Sequence, residues 1–261
     1  MTDPTGAIHI SSRDNPLLKD LRKLAQDPGA YRKLGRVWLE GDHLCRAALA
    51  RGVQPAIAVF SASFWATSPA EWRGTDVKKT VVVDDDLLRA VSGLESPAPM
   101  GFVLDLPARP ELLPDAASVV LDRLQDAGNA GSILRSAAAF GFSQVIALKG
   151  TAALWAPKVL RAGMGAHFGL RLIEGVAPEV LEALTIPMVA TSSHRGEWLH
   201  QARLPHPCAW LMGHEGQGVS PALEARAARH IRIAQPGGEE SLNVAAAAAI
   251  CLHASSALQA G

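Results

Sequence analysis

The chain has 261 residues, with 25 Lys and Arg balancing 25 Asp and Glu, and it is 48% hydrophobic and 5% aromatic. This length fits one large α/β domain or two smaller ones, and the composition excludes a disordered or fibrous chain. A formal net charge of zero excludes a uniformly basic surface, so an RNA-binding face has to be a local patch. Cys45, Cys208 and Cys251 are far apart and form no Cys-x-x-Cys pair, which predicts buried thiols in a reducing compartment rather than a disulfide framework or a zinc site. The first ten residues lack the basic and apolar regions of a signal peptide, and the most apolar stretch, 244–252, is too short to span a bilayer. A cytoplasmic protein with no membrane partner is expected.

From Ser11 to Arg36 the chain is locally basic, with Arg13, Lys19, Arg22, Lys23, Arg32, Lys33 and Arg36 against Asp14, Asp20 and Asp27. Leu17, Leu18, Leu21 and Leu24 recur at helical spacing, which packs one face and turns Lys19, Arg22 and Lys23 to solvent. That outer face is either a solvated helix surface or one that contacts phosphates. Strands are predicted at 37–39, 55–61, 81–83 and 101–106, and helices at 41–49 and 87–91. Pro107, Pro110 and Pro114 then stiffen the chain, and a boundary there divides it into domains 1–109 and 110–261. Beyond it strands (118–121, 144–148, 170–173, 187–191, 209–212, 230–234) alternate with helices (133–140, 157–164, 178–184, 221–228), and a long apolar helix, 244–258, closes the chain. Such alternation predicts a mostly parallel sheet with helices on both faces, and a ligand site at the carboxyl ends of its strands.

Three turns in this second part carry polar groups. The first, in Asp122 to Phe142, follows a strand and opens a helix, so the backbone N–H groups of Gly128 to Ser132 are expected to hold an anion such as a phosphate. In that turn Asn129 and Arg135 are either ligand contacts or a turn residue and a surface cation. Neither Gly-x-x-x-x-Gly-Lys nor Gly-x-Gly-x-x-Gly occurs there, which removes the usual nucleotide fingerprints. The second, Gly213-His214-Glu215-Gly216-Gln217-Gly218, follows the apolar run through Leu211 and Met212, and its glycines permit close approach of backbone to a ligand. Glu215 there either orients a polar ligand or is an exposed turn carboxylate. The third runs from Pro236-Gly237-Gly238 to Ser241-Leu242-Asn243, where Ser241 is placed to cap the last helix. No Gly-x-Ser-x-Gly supports a hydrolase, and no histidine spacing supports a metal.

Taken in order, Asn129-Ala130-Gly131-Ser132-Ile133-Leu134-Arg135, then Leu211 through Gly218, then Ile233 through Pro236-Gly237-Gly238 and Ser241-Leu242-Asn243-Val244, resemble the three motifs of the SpoU/TrmH family. These are SPOUT-class RNA methyltransferases acting on ribose 2′-hydroxyls. Pro157 to Ala166 is similar to the family's segment between its first and second motifs. Ile10 to Leu17, with Leu39-Glu40-Gly41-Asp42-His43, is similar to the N-terminal, L30e-like substrate-binding domain of many members.

The resemblance implies an α/β fold in which a C-terminal SPOUT domain, with a parallel sheet and a deep trefoil knot, is preceded by a small L30e-like α/β domain. It implies a homodimer that uses S-adenosyl-L-methionine to methylate RNA, ribosomal RNA before transfer RNA. Methylation of a base and a non-catalytic RNA-binding module are the other readings. In the family's scheme Asn129, Arg135, Glu215, Ser241 and Asn243 match polar active-site positions. Thr191, Leu211, Met212, Gly213, Gly216, Ile233, Ser241 and Leu242 match the cofactor pocket, and Arg13, Lys19, Arg22, Lys23, Arg32, Lys33 and Arg161 are the candidate RNA contacts. His214 stands where relatives often have Asn or Ser, so the resemblance assigns it no role.

Overall fold

The computed structural model of the chain describes residues 6–67, 70–192, 195–237 and 241–257. The expected turn glycine Gly238 and helix end Leu258 lie outside the described residues. Contacts divide the chain into two compact units, Met1–Ala108 with Trp155–Phe168, and Arg109–Leu154 with Gly169–Gly261. The sequence runs 155–168 on within the second domain; in the structure this segment groups with the first unit.

The first unit is a five-stranded sheet in the order β1-β4-β3-β5-β2, built from β1 (Ile8–Ile10), β2 (Arg36–Glu40), β3 (Ile57–Ser61), β4 (Thr80–Val83) and β5 (Met100–Asp105). β1, β4 and β3 are parallel, and β5 runs antiparallel to both β3 and β2. Helix α1 (Pro16–Gln26) starts where Asn15 Oδ1 accepts the Leu17 N–H at 2.9 Å and Pro16 occupies the first turn. Its Leu18, Leu21 and Leu24 are buried, as their spacing requires. The other helices of this part are α2 (Ala30–Leu34), α3 (Asp42–Ala50), α4 (Ala62–Thr67), α5 (Ala70–Arg73) and α6 (Asp85–Arg89).

In the second unit seven strands stand in the order β10-β12-β9-β11-β6-β7-β8, every pairing parallel. They are β6 (Ser118–Leu121), β7 (Gln144–Leu148), β8 (Arg171–Val176), β9 (Met188–Thr191), β10 (Glu197–Trp198), β11 (Ala209–Met212) and β12 (Arg229–Arg232). β6, β7 and β11 are buried at every residue, which is why they read as unbroken apolar runs rather than alternating ones. The helices that follow the first six are α7 (Ala127–Ala139), α8 (Pro157–Gly163, within the segment that joins the first unit), α9 (Pro221–Glu224) and α10 (Val244–Ala257). Residues 178–183 form a 3₁₀ helix where an α-helix is expected.

One face of this sheet packs Val120, Ile146, Ile173, Ala190 and Leu211 against Leu181 and Leu223. α7 and α10 pack on each other, and α10 reaches β11 through a buried polar pair in which Trp210 Nε1 donates to Ser255 Oγ at 2.9 Å. Ser255→Ala leaves that indole N–H without a partner, with an expected loss of about 1–3 kcal/mol in urea unfolding. The three cysteines are buried and unbridged, and burial pushes the Cys208 and Cys251 thiols up to about 12.

Candidate active site

The three polar turns meet at the carboxyl ends of β6, β11 and β12. α7 begins six residues earlier than its apolar pattern suggests, because Asp126 caps it: Asp126 Oδ1 accepts the Asn129 N–H at 2.8 Å, and the Ala130 N–H bonds Asp126 O at 3.0 Å. Of the anion cradle expected at Gly128 to Ser132, the Asn129 and Ala130 N–H groups are thus taken by Asp126, and Gly131 and Ser132 lie beyond the first turn of the helix. The groups at its start face a carboxylate of the protein itself. Glu215 Oε1 accepts the Asp126 N–H at 2.9 Å and Asn129 Nδ2 at 3.3 Å, and Oε2 accepts the Gln125 N–H at 3.2 Å.

The last helix extends the same chain of bonds. Asn243 Oδ1 accepts the N–H groups of Ala245 and Ala246 at 2.9 and 3.2 Å, so Asn243 and not Ser241 caps α10. Its Nδ2 donates to Asn129 Oδ1 at 3.0 Å. A capping oxygen that accepts from helix N–H groups has to be Oδ1, which turns the Asn243 amide toward Asn129. Asn129 must then present Oδ1 to it and Nδ2 to Glu215. One carboxylate and two amides thus tie residues 125–129, 215 and 243–246 together in a single orientation.

The loop after β11 is held at every corner. His214 and Gly218 exchange backbone bonds of 3.0 and 2.8 Å, and His214 Nδ1 accepts the Gly216 N–H at 3.0 Å. That bond gives His214 a structural place inside the turn, which spacing could not assign. Buried Asp122 accepts the Ser220 N–H at 2.7 Å, and Arg123, in the left-handed region at φ 58°, donates to Gln217 Oε1 at 3.0 Å.

Behind this loop lies a cavity of about 380 Å³, large enough for a small organic ligand. Thr191, Gly213, Gly216, Ile233, Ser241 and Leu242 of the expected cofactor set line it, together with Glu215. Leu211 and Met212 do not; both are buried in β11, where their carbonyls accept Thr191 Oγ1 at 3.2 Å and the Asp122 N–H at 2.8 Å. Sequence reasoning missed Ser192, Glu224, Ile231 and Gln235, which also line the cavity. The alternation of Ile231, Ile233 and Gln235 along an extended run is the signal that places them on one side. Arg135 is exposed on α7, outside this lining.

Burial pushes the Glu215 carboxyl up, but the N–H groups of Asp126, Glu215 itself and Gln125 and the Asn129 amide outweigh it and hold the carboxyl below its ordinary 4.5. A depressed value means that the tether is complete above 4.5 and is lost as pH falls through the lowered value in the folded protein. The amide resonances of Gln125 and Asp126 are expected to move together only below that ordinary value, and to stay still in Glu215→Gln. A transition at or above it in the wild type would mean that the tether does not form.

The candidate RNA contacts of the first unit stand less freely than their spacing suggests. Lys19 pairs with Asp14 at 3.2 Å, Arg22 Nε donates to Ala90 O at 3.4 Å, and Arg32 lies over the Tyr31 ring at 5.0 Å. Arg13, Lys23 and Lys33 are exposed, and Arg161 is half-buried at the end of α8. Among the described residues no group of His, Cys, Asp and Glu is arranged to hold a metal, and no helix is long and apolar enough to cross a membrane.

Residues 116–253 match the SpoU rRNA Methylase family, and the chain belongs to that family. It is 30% identical to the 23S rRNA (guanosine(2553)-2′-O)-methyltransferase RlmP of Bacillus subtilis over 94% of this chain and 97% of that one. It is equally similar, at 30%, to an uncharacterized tRNA/rRNA methyltransferase of Synechocystis, over 94% and 92% of the two chains. Among solved structures, an RNA 2′-O ribose methyltransferase superposes with a TM-score of 0.80 at 27% identity, over 97% of this chain and all of that one. An AdoMet-bound rRNA methyltransferase from Sinorhizobium meliloti superposes with a TM-score of 0.81 at 25% identity, over 95% and 97%.

Proposed function

We propose that this protein is an S-adenosylmethionine-dependent methyltransferase that modifies a ribose 2′-hydroxyl of ribosomal RNA, in the cytoplasm and as a homodimer. The observation that carries the reading is the Glu215–Asn129–Asn243 chain of bonds joined to a cavity of cofactor size. Gln235 Oε1, buried in the lining of that cavity with no hydrogen-bond partner among the described residues, and Leu242, 38% exposed within it, leave an acceptor and an apolar surface for a ligand to cover. These residues fit the cofactor, which when bound supplies an electrophilic methyl group.

The protein's own groups do the positioning. Glu215 holds the start of α7 and Asn129 through charge-assisted bonds. Asn129 and Asn243, locked against each other, keep fixed donors and acceptors for the ribose, and such alignment supplies much of the acceleration in a transfer between two bound partners. Arg135 contacts an RNA phosphate and stabilises negative charge growing on the 2′-oxygen. Free guanidinium stays protonated, so this electrostatic role precedes any role as base. Because Arg135 is exposed away from the cavity lining, it serves the pocket of the partner subunit in this reading. The deep trefoil knot belongs to the same proposal. So does the division of labour in which residues 1–109 form an L30e-like domain that grips structured RNA at a distance from the reacting ribose.

The test is transfer of radiolabelled methyl from S-adenosylmethionine to separated ribosomal and transfer RNA, followed by alkaline digestion. Label in an alkali-resistant dinucleotide from ribosomal RNA is the expected result. Label released in mononucleotides would place the methyl on a base and overturn the ribose assignment.

A further inference from the structure

The cavity lining contains a buried polar atom that the proposed function leaves unused. Ile231, Ile233 and Gln235 alternate along the end of β12 and the extended chain after it, and all three line the cavity. The row is apolar until its last member, whose carboxamide oxygen is buried with no hydrogen-bond partner among the described residues. A buried acceptor left empty is unfavourable relative to a satisfied one. Val219, Leu242 and Ala247 add further apolar surface to the same lining, which elsewhere carries polar groups such as Glu215 and Ser241.

A flat ring lying against an apolar wall, with an amine on its edge, satisfies both features. A carboxamide pairs well with adenine, because its oxygen accepts from the exocyclic amine while its NH₂ donates to a ring nitrogen. We propose that the Gln235 side chain recognises the adenine amine of the cofactor and is the adenine-selectivity element of this pocket. The ligand's ammonium group is a poorer match, because a buried cation demands a carboxylate rather than a neutral amide. This inference rests on the cofactor assigned above.

The experiment measures calorimetric binding of S-adenosylhomocysteine and of its analogue with hydrogen in place of the 6-amino group, to wild type and Gln235→Met. Wild type is expected to bind the deamino analogue at least about tenfold more weakly, because the buried oxygen then stays unmatched. In Gln235→Met the two ligands are expected to bind within about twofold of each other, since neither finds an acceptor. The ligand-free Gln235→Met protein is expected to melt at or above the wild-type temperature, because a buried carboxamide oxygen without a partner among the described residues has been exchanged for an apolar chain of similar length. A structural role for Gln235 would lower that temperature instead. Equal binding of the two ligands by wild type, or a preference that survives in Gln235→Met, overturns the inference while leaving the methyltransferase reading intact. No binding of S-adenosylhomocysteine to wild type overturns both.

Discussion

Arg135→Ala is expected to lower methyl transfer by about 10²–10³-fold, the usual consequence of deleting one group that stabilises charge developing in a transition state. Cofactor affinity should stay within about twofold, because Arg135 lies outside the cavity lining. Stability should also be unchanged, since an exposed side chain on the surface of α7 is normally worth less than about 0.5 kcal/mol. Arg135→Lys should recover little, because a point charge does not replace the planar fork that grips a phosphate. The proposed homodimer makes a sharper demand. If Arg135 of one chain serves the pocket of the other, an inactive Arg135→Ala protein co-assembled with a pocket-defective protein regains one working site in each mixed dimer, or about a quarter of the wild-type rate for random pairing. Normal turnover by Arg135→Ala would sink the assignment, and failure of complementation by verified mixed dimers would confine the arginine to its own chain.

Much of the second unit is written plainly in its residues. β6, β7 and β11 are short apolar runs between turn residues, and burial on both faces of a parallel sheet requires such runs. β1 and β10 leave no signal in the sequence, because three and two residues carry no period. The start of α7 is hidden because Gly128 and Gly131 look like loop, although Asp126 ahead of them is a legible cap. The cap of α10 is ambiguous for a related reason: Ser241 and Asn243 are both good capping types, and only the backbone path decides between them. The segment 155–168 shows a clear helical pattern, but a local pattern does not say which unit its apolar face will join. The polar positions of the three turns were legible through their order and resemblance. The bonds that connect Glu215 to Asn129, and Asn129 to Asn243, span 86 and 114 residues and appear only in the folded chain.

Gly213→Ala is expected to be the most damaging single-methyl change in the cavity, while Gly216→Ala, three residues away in the same turn, should be almost silent. A Cβ on Gly213 would stand 2.0 Å from the Gly218 carbonyl carbon and 2.1 Å from the Val219 nitrogen. These are backbone atoms, and they cannot retreat without opening the paired bonds between His214 and Gly218. Retreat is further opposed by Asp122 holding the Ser220 N–H and by Arg123 holding Gln217. The loop must therefore open, at a cost of about 3 kcal/mol, near the upper end for a single substitution. Glu215 would lose its register with Asn129 in the process, so cofactor binding should weaken by about 100-fold or more, the equivalent of some 3 kcal/mol. On Gly216 the nearest atoms to a Cβ are those of the His214 ring, 3.9 Å away, which is ordinary contact. Its stability change should stay within about 0.5 kcal/mol. Thermal melting and calorimetric cofactor binding of the two variants separate two reasons for glycine in this turn. A large loss in Gly213→Ala alone means that the loop must close on itself. An equal loss of binding in Gly216→Ala, with stability kept, would instead mean that the ligand presses against the backbone at Gly216 and that loop closure is not what governs the site.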